Sequence, residues 1–207
     1  MKNKRYLSLI RPFESLATKR VLQVNPTVAP SRKEPLKTLI TVYEYSDTEV
    51  NLEKLDNVED CYKYLDTPNK AWINFDGLKK EDIDKTCAHF GIHPLIAEDI
   101  LSSGQRPKMD ELNQLLFCLL NMLYFQEETL SVENEQISIV LGPNFVLSFQ
   151  EDASRDVFNP LREKIKVAGS KVRQSGADYL FYSLIDMIVD SYYVIMKQLG
   201  EKIVDVE

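Results

Sequence analysis

The 207 residues are 44% hydrophobic and 28% charged, the composition of a globular protein with one ordinary domain and an appendage. A net charge of −7 excludes a general nucleic-acid binder. Three widely spaced cysteines, Cys61, Cys87 and Cys118, form no Cys-x-x-Cys pair, which fits small buried hydrophobes in a reducing compartment.

In chain order, residues 1–37 carry nine Lys/Arg against Glu14 and Glu34, a balance of +7 that leaves −14 on the remainder. With Pro12, Pro26, Pro30 and Pro35 and little hydrophobic periodicity, this stretch is expected to be a basic tail without stable structure. Solubility, or contact with the acidic body, is favoured for it over a membrane role. Met1 to Ile10 has no apolar core of the secretory kind. The longest apolar run, LLFCLLNMLYF (115–125), falls far short of the ~20 residues of a spanning helix, so the chain as it stands is expected to be soluble.

TLITVYEY (38–45) alternates and is rich in β-branched and aromatic residues, predicting a strand. EVNLEKLDNVEDCYKYL (49–65) shifts to helical spacing. AWINF (71–75) predicts a short strand stopped by Asp76-Gly77, and LKKEDIDKTCAHF (78–90) a helix with Ile83, Cys87 and Phe90 on one face, capped at Gly91. HPLIAEDIL (93–101) restarts a helix, with Pro94 where its missing N–H is harmless. The apolar run 115–125 reads as a strand covered on both faces, or as a buried helix. EQISIVL (135–141), Gly142-Pro143-Asn144 and FVLSFQ (145–150) predict a hairpin, and DVFNPLREKIKV (156–167) a helix. This order implies an α/β fold with a mixed sheet and helices on both faces.

From Ala177 to the last residue the pattern is helical. Tyr182, Ile185, Val189, Tyr192, Met196, Leu199, Ile203 and Val206 alternate steps of three and four, a heptad seam that asks for a partner helix. The seam is still running at Glu207, so the helix is expected to continue in a longer protein.

Chemistry is sparse. There is no GxGxxG, GxxxxGK[ST] or GxSxG motif, and no nucleophile–base pair, so an enzyme is not expected. His89 and His93 stand four apart, but Gly91 and Pro94 break the helix that would align them, which favours a structural role over zinc ligation. The adjacent acids Glu98 and Asp99 have no Lys or Arg within six residues, and Asp186 and Asp190 lie beside the apolar seam. Unneutralised carboxylates of this kind suit a hard divalent ion such as Mg²⁺; the alternative is a solvated acidic face.

The stretch FGIHPLIAEDIL (90–101) followed by QRPK (105–108) strongly resembles the CorA-type magnesium transporters. Further blocks match in order: Trp72-Ile73-Asn74, EQISIVL (135–141) with NFVLSFQE (144–151), DVFNPLREKI (156–165) and ADYLFYSLIDMIVDSYY (177–193). The likeness covers roughly residues 38–207. It implies an α/β/α sandwich with a mixed central sheet over 38–168, then a helical region over 169–207 containing the start of a long stalk helix. It implies a cytosolic, Mg²⁺-sensing domain of a membrane transporter or channel that assembles as a homopentamer. The membrane segments would lie beyond Glu207, in the cell (inner) membrane for the full-length protein. By motif position, the regulatory ligands between subunits would be Glu98, Asp99 and Asp186, with a further stalk acid beyond Glu207. Mg²⁺ is the expected ion, with Co²⁺ or Zn²⁺ as possible alternatives within the superfamily. A stand-alone α/β module that dimerises through its last helix is the competing reading.

Overall fold

The computed structural model describes residues 34–129, 131–152 and 156–204. Most of the basic segment 1–37, together with Val206 of the seam, therefore lies outside the described residues.

Alternating apolar residues build strands β1 (Leu39–Tyr45), β2 (Val50–Leu55) and β3 (Lys70–Asp76). Later come β4 (Lys108–Leu112), β5 (Leu115–Gln126), β6 (Ser131–Leu141) and β7 (Phe145–Gln150). They form one seven-stranded sheet in the order β2-β1-β3-β7-β6-β5-β4. Only the central pair β3–β7 is parallel; every other neighbouring pair is antiparallel.

The period-two alternation sends successive side chains to opposite faces, and both faces are covered. Ala71, Ile73 and Phe75 of β3, with Phe145, Leu147 and Phe149 of β7, pack against α1 (Lys80–His89), α2 (Pro94–Leu101) and a 3₁₀ helix (Val58–Tyr64). Trp72, Val146, Ile137 and Ile139 face the other way, onto α3 (Asn159–Lys166), α4 (Lys171–Gln174) and α5 (Ala177–Val204). The result is the α/β/α sandwich with a mixed sheet and a long terminal helix expected from the sequence.

Two local readings are corrected, and the choice between strand and helix at 115–125 is settled in favour of the strand. Residues 49–65 are not one helix: VNLEKL pairs with β1, and only Val58–Tyr64 coils, as 3₁₀ turns. Apolar residues at Leu52, Leu55, Val58 and Cys61 recur every three positions, which satisfies a 3₁₀ repeat and is easily taken for an α-helical one. The run 115–125 is a strand, β5, flanked by β4 and β6. The terminal seam is split. The helix face that packs on the sheet is Leu180, Leu184 and Ile188, with Ile195 also buried, while Tyr182, Val189 and Met196 of the heptad row are exposed. The sheet takes the stripe next to the seam. By length and composition α5 is also apolar enough over Ala177–Lys202 to cross a membrane, which the apolar-run criterion missed.

Candidate metal site

Helix α2 is short because both of its ends are fixed. The His93 imidazole accepts a hydrogen bond from the Leu95 N–H at 3.2 Å, and Pro94 occupies the first turn. At the far end, the Gln136 side chain of β6 donates from Nε2 to the carbonyls of Asp99 (2.9 Å) and Ser102 (2.8 Å). Its Oε1 accepts from the Gln105 N–H at 3.2 Å. One amide thus satisfies the helix terminus and anchors it to the sheet. Ile96, Ala97 and Ile100 are buried, which turns Glu98 outward.

Glu98 is exposed, close enough to Lys80 of α1 for the two charges to interact. Asp99 differs. Its Oδ2 accepts from the Lys108 ammonium of β4 at 2.5 Å, with the carboxylate side chain 19% and the lysine 36% exposed. Lys108 also reaches Asp110 at 3.4 Å. The hydrogen bond to Asp99 holds the lysine above its ordinary pKa. The expectation of two unneutralised acids is therefore corrected for Asp99. Its counter-charge comes from nine residues away, after the chain reverses.

Asp186 projects from the opposite layer. It is exposed on α5, where it accepts from the Tyr182 hydroxyl one turn earlier at 3.1 Å and raises that phenol's pKa. It borders a cleft of about 320 Å³ that Lys164, Lys171 and Tyr179 also line. The sheet separates α2 from α5, so one chain does not bring Glu98 or Asp99 to Asp186. Among the described residues no group of three or more His, Cys, Asp or Glu is placed to hold a metal ion. Carboxylate oxygens are the right donors for Mg²⁺, but each layer supplies only part of a ligand set.

The histidines are committed elsewhere. His89 stacks on Tyr62 with ring centroids 3.8 Å apart, and His93 caps α2. The three cysteines are buried and free, and burial pushes the Cys61 and Cys87 thiols up to about 12.

A second polar group runs along β3 and β7. Register sets Asn74 opposite Ser148 and Asp76 opposite Gln150. The Trp72 indole N–H donates to Ser148 Oγ (2.8 Å), which donates to Asn74 Oδ1 (2.6 Å). Asn74 and Gln150 both donate to Asp76 Oδ1, and Gln150 continues to Asp156 at 3.1 Å. Asp156 pairs with Arg162, whose guanidinium lies over the Trp72 ring. Burial raises the pKa of the Asp76 carboxyl. This chain of bonds pins the parallel strand pair and the start of α3.

Sequence reasoning missed Lys108 and Gln136. Lys108 stood inside the quoted QRPK, but its contact with Asp99 depends on β4, which no sequence signal revealed.

Comparison with known proteins places this geometry among relatives. A family model described as CorA-like Mg²⁺ transporter protein matches residues 69–207. The cobalt/magnesium transport protein CorA of Thermotoga maritima is 39% identical over 165 residues, covering 79% of this chain and 47% of that protein. The chain thus spans about half the length of this curated relative. Among solved structures, the soluble domain of CorA from Methanocaldococcus jannaschii matches with a TM-score of 0.59 at 20% identity, covering 80% of this chain and 62% of that one. The cytoplasmic domain of ZntB from Vibrio parahaemolyticus matches with a TM-score of 0.59 at 12% identity, covering 83% and 66%. At these identities the structural likeness speaks for the fold alone.

Proposed function

Because this chain belongs to the CorA-like Mg²⁺ transporter family, we propose that it is the cytosolic, cation-sensing domain of a membrane transporter of divalent ions. In this reading Mg²⁺ binds between neighbouring copies in a ring of five, held by Glu98 and Asp99 of one copy and by Asp186 of the next. The membrane part belongs to the remainder of the longer protein.

The observation that carries the reading is the placement of the acids. They are surface carboxylates on opposite layers of one sandwich, so they can share an ion only across two copies. The electrostatics agree. Residues 38–207 carry fourteen net negative charges, and copies brought together repel one another. A divalent ion at each seam offsets that repulsion and favours the closed ring. When the ion leaves, the copies separate and the α5 helices transmit the change. A preference for the closed state of ~1–3 kcal/mol per site, multiplied over several sites, is enough to move such an equilibrium. Few carboxylates and retained water give the weak affinity a sensor requires. Co²⁺ is a second candidate ion on the strength of the relative's name. Zn²⁺ is less favoured, since both histidines already serve structural roles.

The test is thermal melting of the chain with and without Mg²⁺. At ten times the dissociation constant, binding adds about 1.4 kcal/mol, or a rise of about 3–5 °C for a domain of this size. The Asp99→Ala, Asp186→Ala double variant should lose that rise. A double variant that responds to Mg²⁺ as the parent does removes these acids from the site.

A further inference from the structure

We propose that Lys108 is a tethered competitor for the cation site: its ammonium occupies Asp99 while no divalent ion is present and must be displaced before Asp99 can act as a ligand. Lys108 thereby sets the concentration at which the site fills. The inference rests on Glu98 and Asp99 being cation ligands.

Two separate anchors hold the lysine and the aspartate face to face. Lys108 stands opposite Leu119 in the β4–β5 ladder, so its backbone is fixed by the sheet. Asp99 is fixed at the end of α2 by the Gln136 amide, which bonds its carbonyl at 2.9 Å. The 2.5 Å contact between Lys108 Nζ and Asp99 Oδ2 is thus set by the scaffold. The ammonium also lies 5.9 Å from the centroid of the Phe117 ring, which confines it from below.

The alternative position for the ammonium is already present. Asp110, two residues along the same edge strand, stands 3.4 Å from Lys108 Nζ. An arriving cation can push the ammonium toward Asp110 without leaving it unpaired. Within hydrogen-bonding distance Glu98 has no such partner among the described residues, and it is exposed. The motif helix therefore carries one open carboxylate and one guarded carboxylate. An ion first meets Glu98 and then exchanges with the lysine at Asp99.

The exchange discriminates between ions. Replacing a charge-assisted hydrogen bond requires a cation that binds the carboxylate more strongly than the ammonium does. A divalent ion does so; Na⁺ or K⁺, with half the charge, does not. After displacement the ammonium still lies within a few ångströms of the ion and repels it, which weakens binding further. Neutralising Lys108 removes both effects and should tighten Mg²⁺ binding about tenfold, equivalent to about 1.4 kcal/mol.

The experiment is a Mg²⁺ titration of the ¹⁵N-labelled chain by two-dimensional NMR, following the Glu98 and Asp99 amide signals. Lys108→Gln should saturate at about one-tenth of the parent's Mg²⁺ concentration, and Lys108→Arg, which keeps the charge, should stay within about twofold of the parent. A Lys108→Gln chain that titrates like the parent, or more weakly, overturns the proposal. Asp99→Asn separates this failure from that of the underlying reading. If the parent shows no saturable shift at Glu98 and Asp99, or if Asp99→Asn titrates as the parent does, the acids are not ligands and both ideas fall. Should Lys108→Gln not fold, the parent alone decides: the Lys108 side-chain ¹⁵Nζ resonance should move with the same midpoint as the Asp99 amide, and a resonance that stays still overturns the proposal.

Discussion

Replacing Gln136 by leucine tests whether one side chain of β6 determines the end of the acidic helix. The substitution removes two donors and one acceptor that meet the Asp99 carbonyl at 2.9 Å, the Ser102 carbonyl at 2.8 Å and the Gln105 N–H at 3.2 Å. A protein hydrogen bond contributes about 1 kcal/mol net. Three would give about 3 kcal/mol, but Ser102 and Gln105 are only half-buried, so water recovers part of it. The expected loss is about 2 kcal/mol, which for a urea slope of ~2 kcal/mol/M lowers the unfolding midpoint by about 1 M. Hydrogen exchange at Ser102 and Gln105 should accelerate by more than at the α1 amides. Gln136→Glu should be worse than leucine, because it turns a carboxylate oxygen toward two carbonyls. An unchanged urea midpoint with unchanged exchange at the end of α2 would refute the anchoring argument, as would a tolerated glutamate.

Two further perturbations probe the buried polar groups. Asp156→Ala strips the Arg162 guanidinium of its partner where the two side chains are 2% and 16% exposed, so calorimetry should show a loss of about 3–5 kcal/mol; a loss below about 1 kcal/mol would mean that water reaches the arginine. Glu135 accepts from the Glu151 and Asp152 N–H groups and from the Tyr124 hydroxyl, while burial, the largest influence, raises its pKa above the ordinary 4.5. A raised carboxyl binds its proton more tightly in the folded state, so its contribution to stability falls as pH climbs from the unfolded pKa through the folded one and is constant above it. Glu135→Gln abolishes that component, and the stability difference, variant minus parent, should rise across that window; a flat difference would refute the assignment.

Periodicity made much of the scaffold legible. β-Branched alternation marked β1 and β3, the Gly142-Pro143-Asn144 turn marked the β6–β7 hairpin, and Gly91 and Pro94 marked the junction of α1 and α2. β4 escaped because its turn into β5 uses Asn113 and Gln114 at φ 53° and 65°, a left-handed pair for which glycine is the usual signal. Missing β4 meant missing Lys108, since local sequence around Glu98 and Asp99 carries no base and the pairing exists only once the chain doubles back. The heptad row of α5 was visible as apolar spacing, but which adjacent stripe meets the sheet depends on how the helix axis lies over β5. Tyr192 reports that docking through its hydrogen bond to the Asn121 carbonyl. The acids stood out in the sequence as unneutralised carboxylates, and the resemblance selected Glu98, Asp99 and Asp186 among them as candidate ligands. Their segregation to opposite layers came from the alternation within β3 and β7, which sends α1 and α2 to one face and α3 to α5 to the other.

That two-sided arrangement has a stoichiometric consequence. A contact joining α2 of one copy to α5 of the next is head-to-tail, and such contacts are all satisfied only when the chain of copies closes on itself. A two-fold dimer apposes the same face of both copies, so with α2 and α5 on opposite layers it completes none of them. If the proposed sharing of Mg²⁺ holds, each protomer is a donor at one boundary and an acceptor at the other, and defects at Asp99 and Asp186 are complementary: in a mixed assembly, the boundary that unites the intact halves of two different variants is whole.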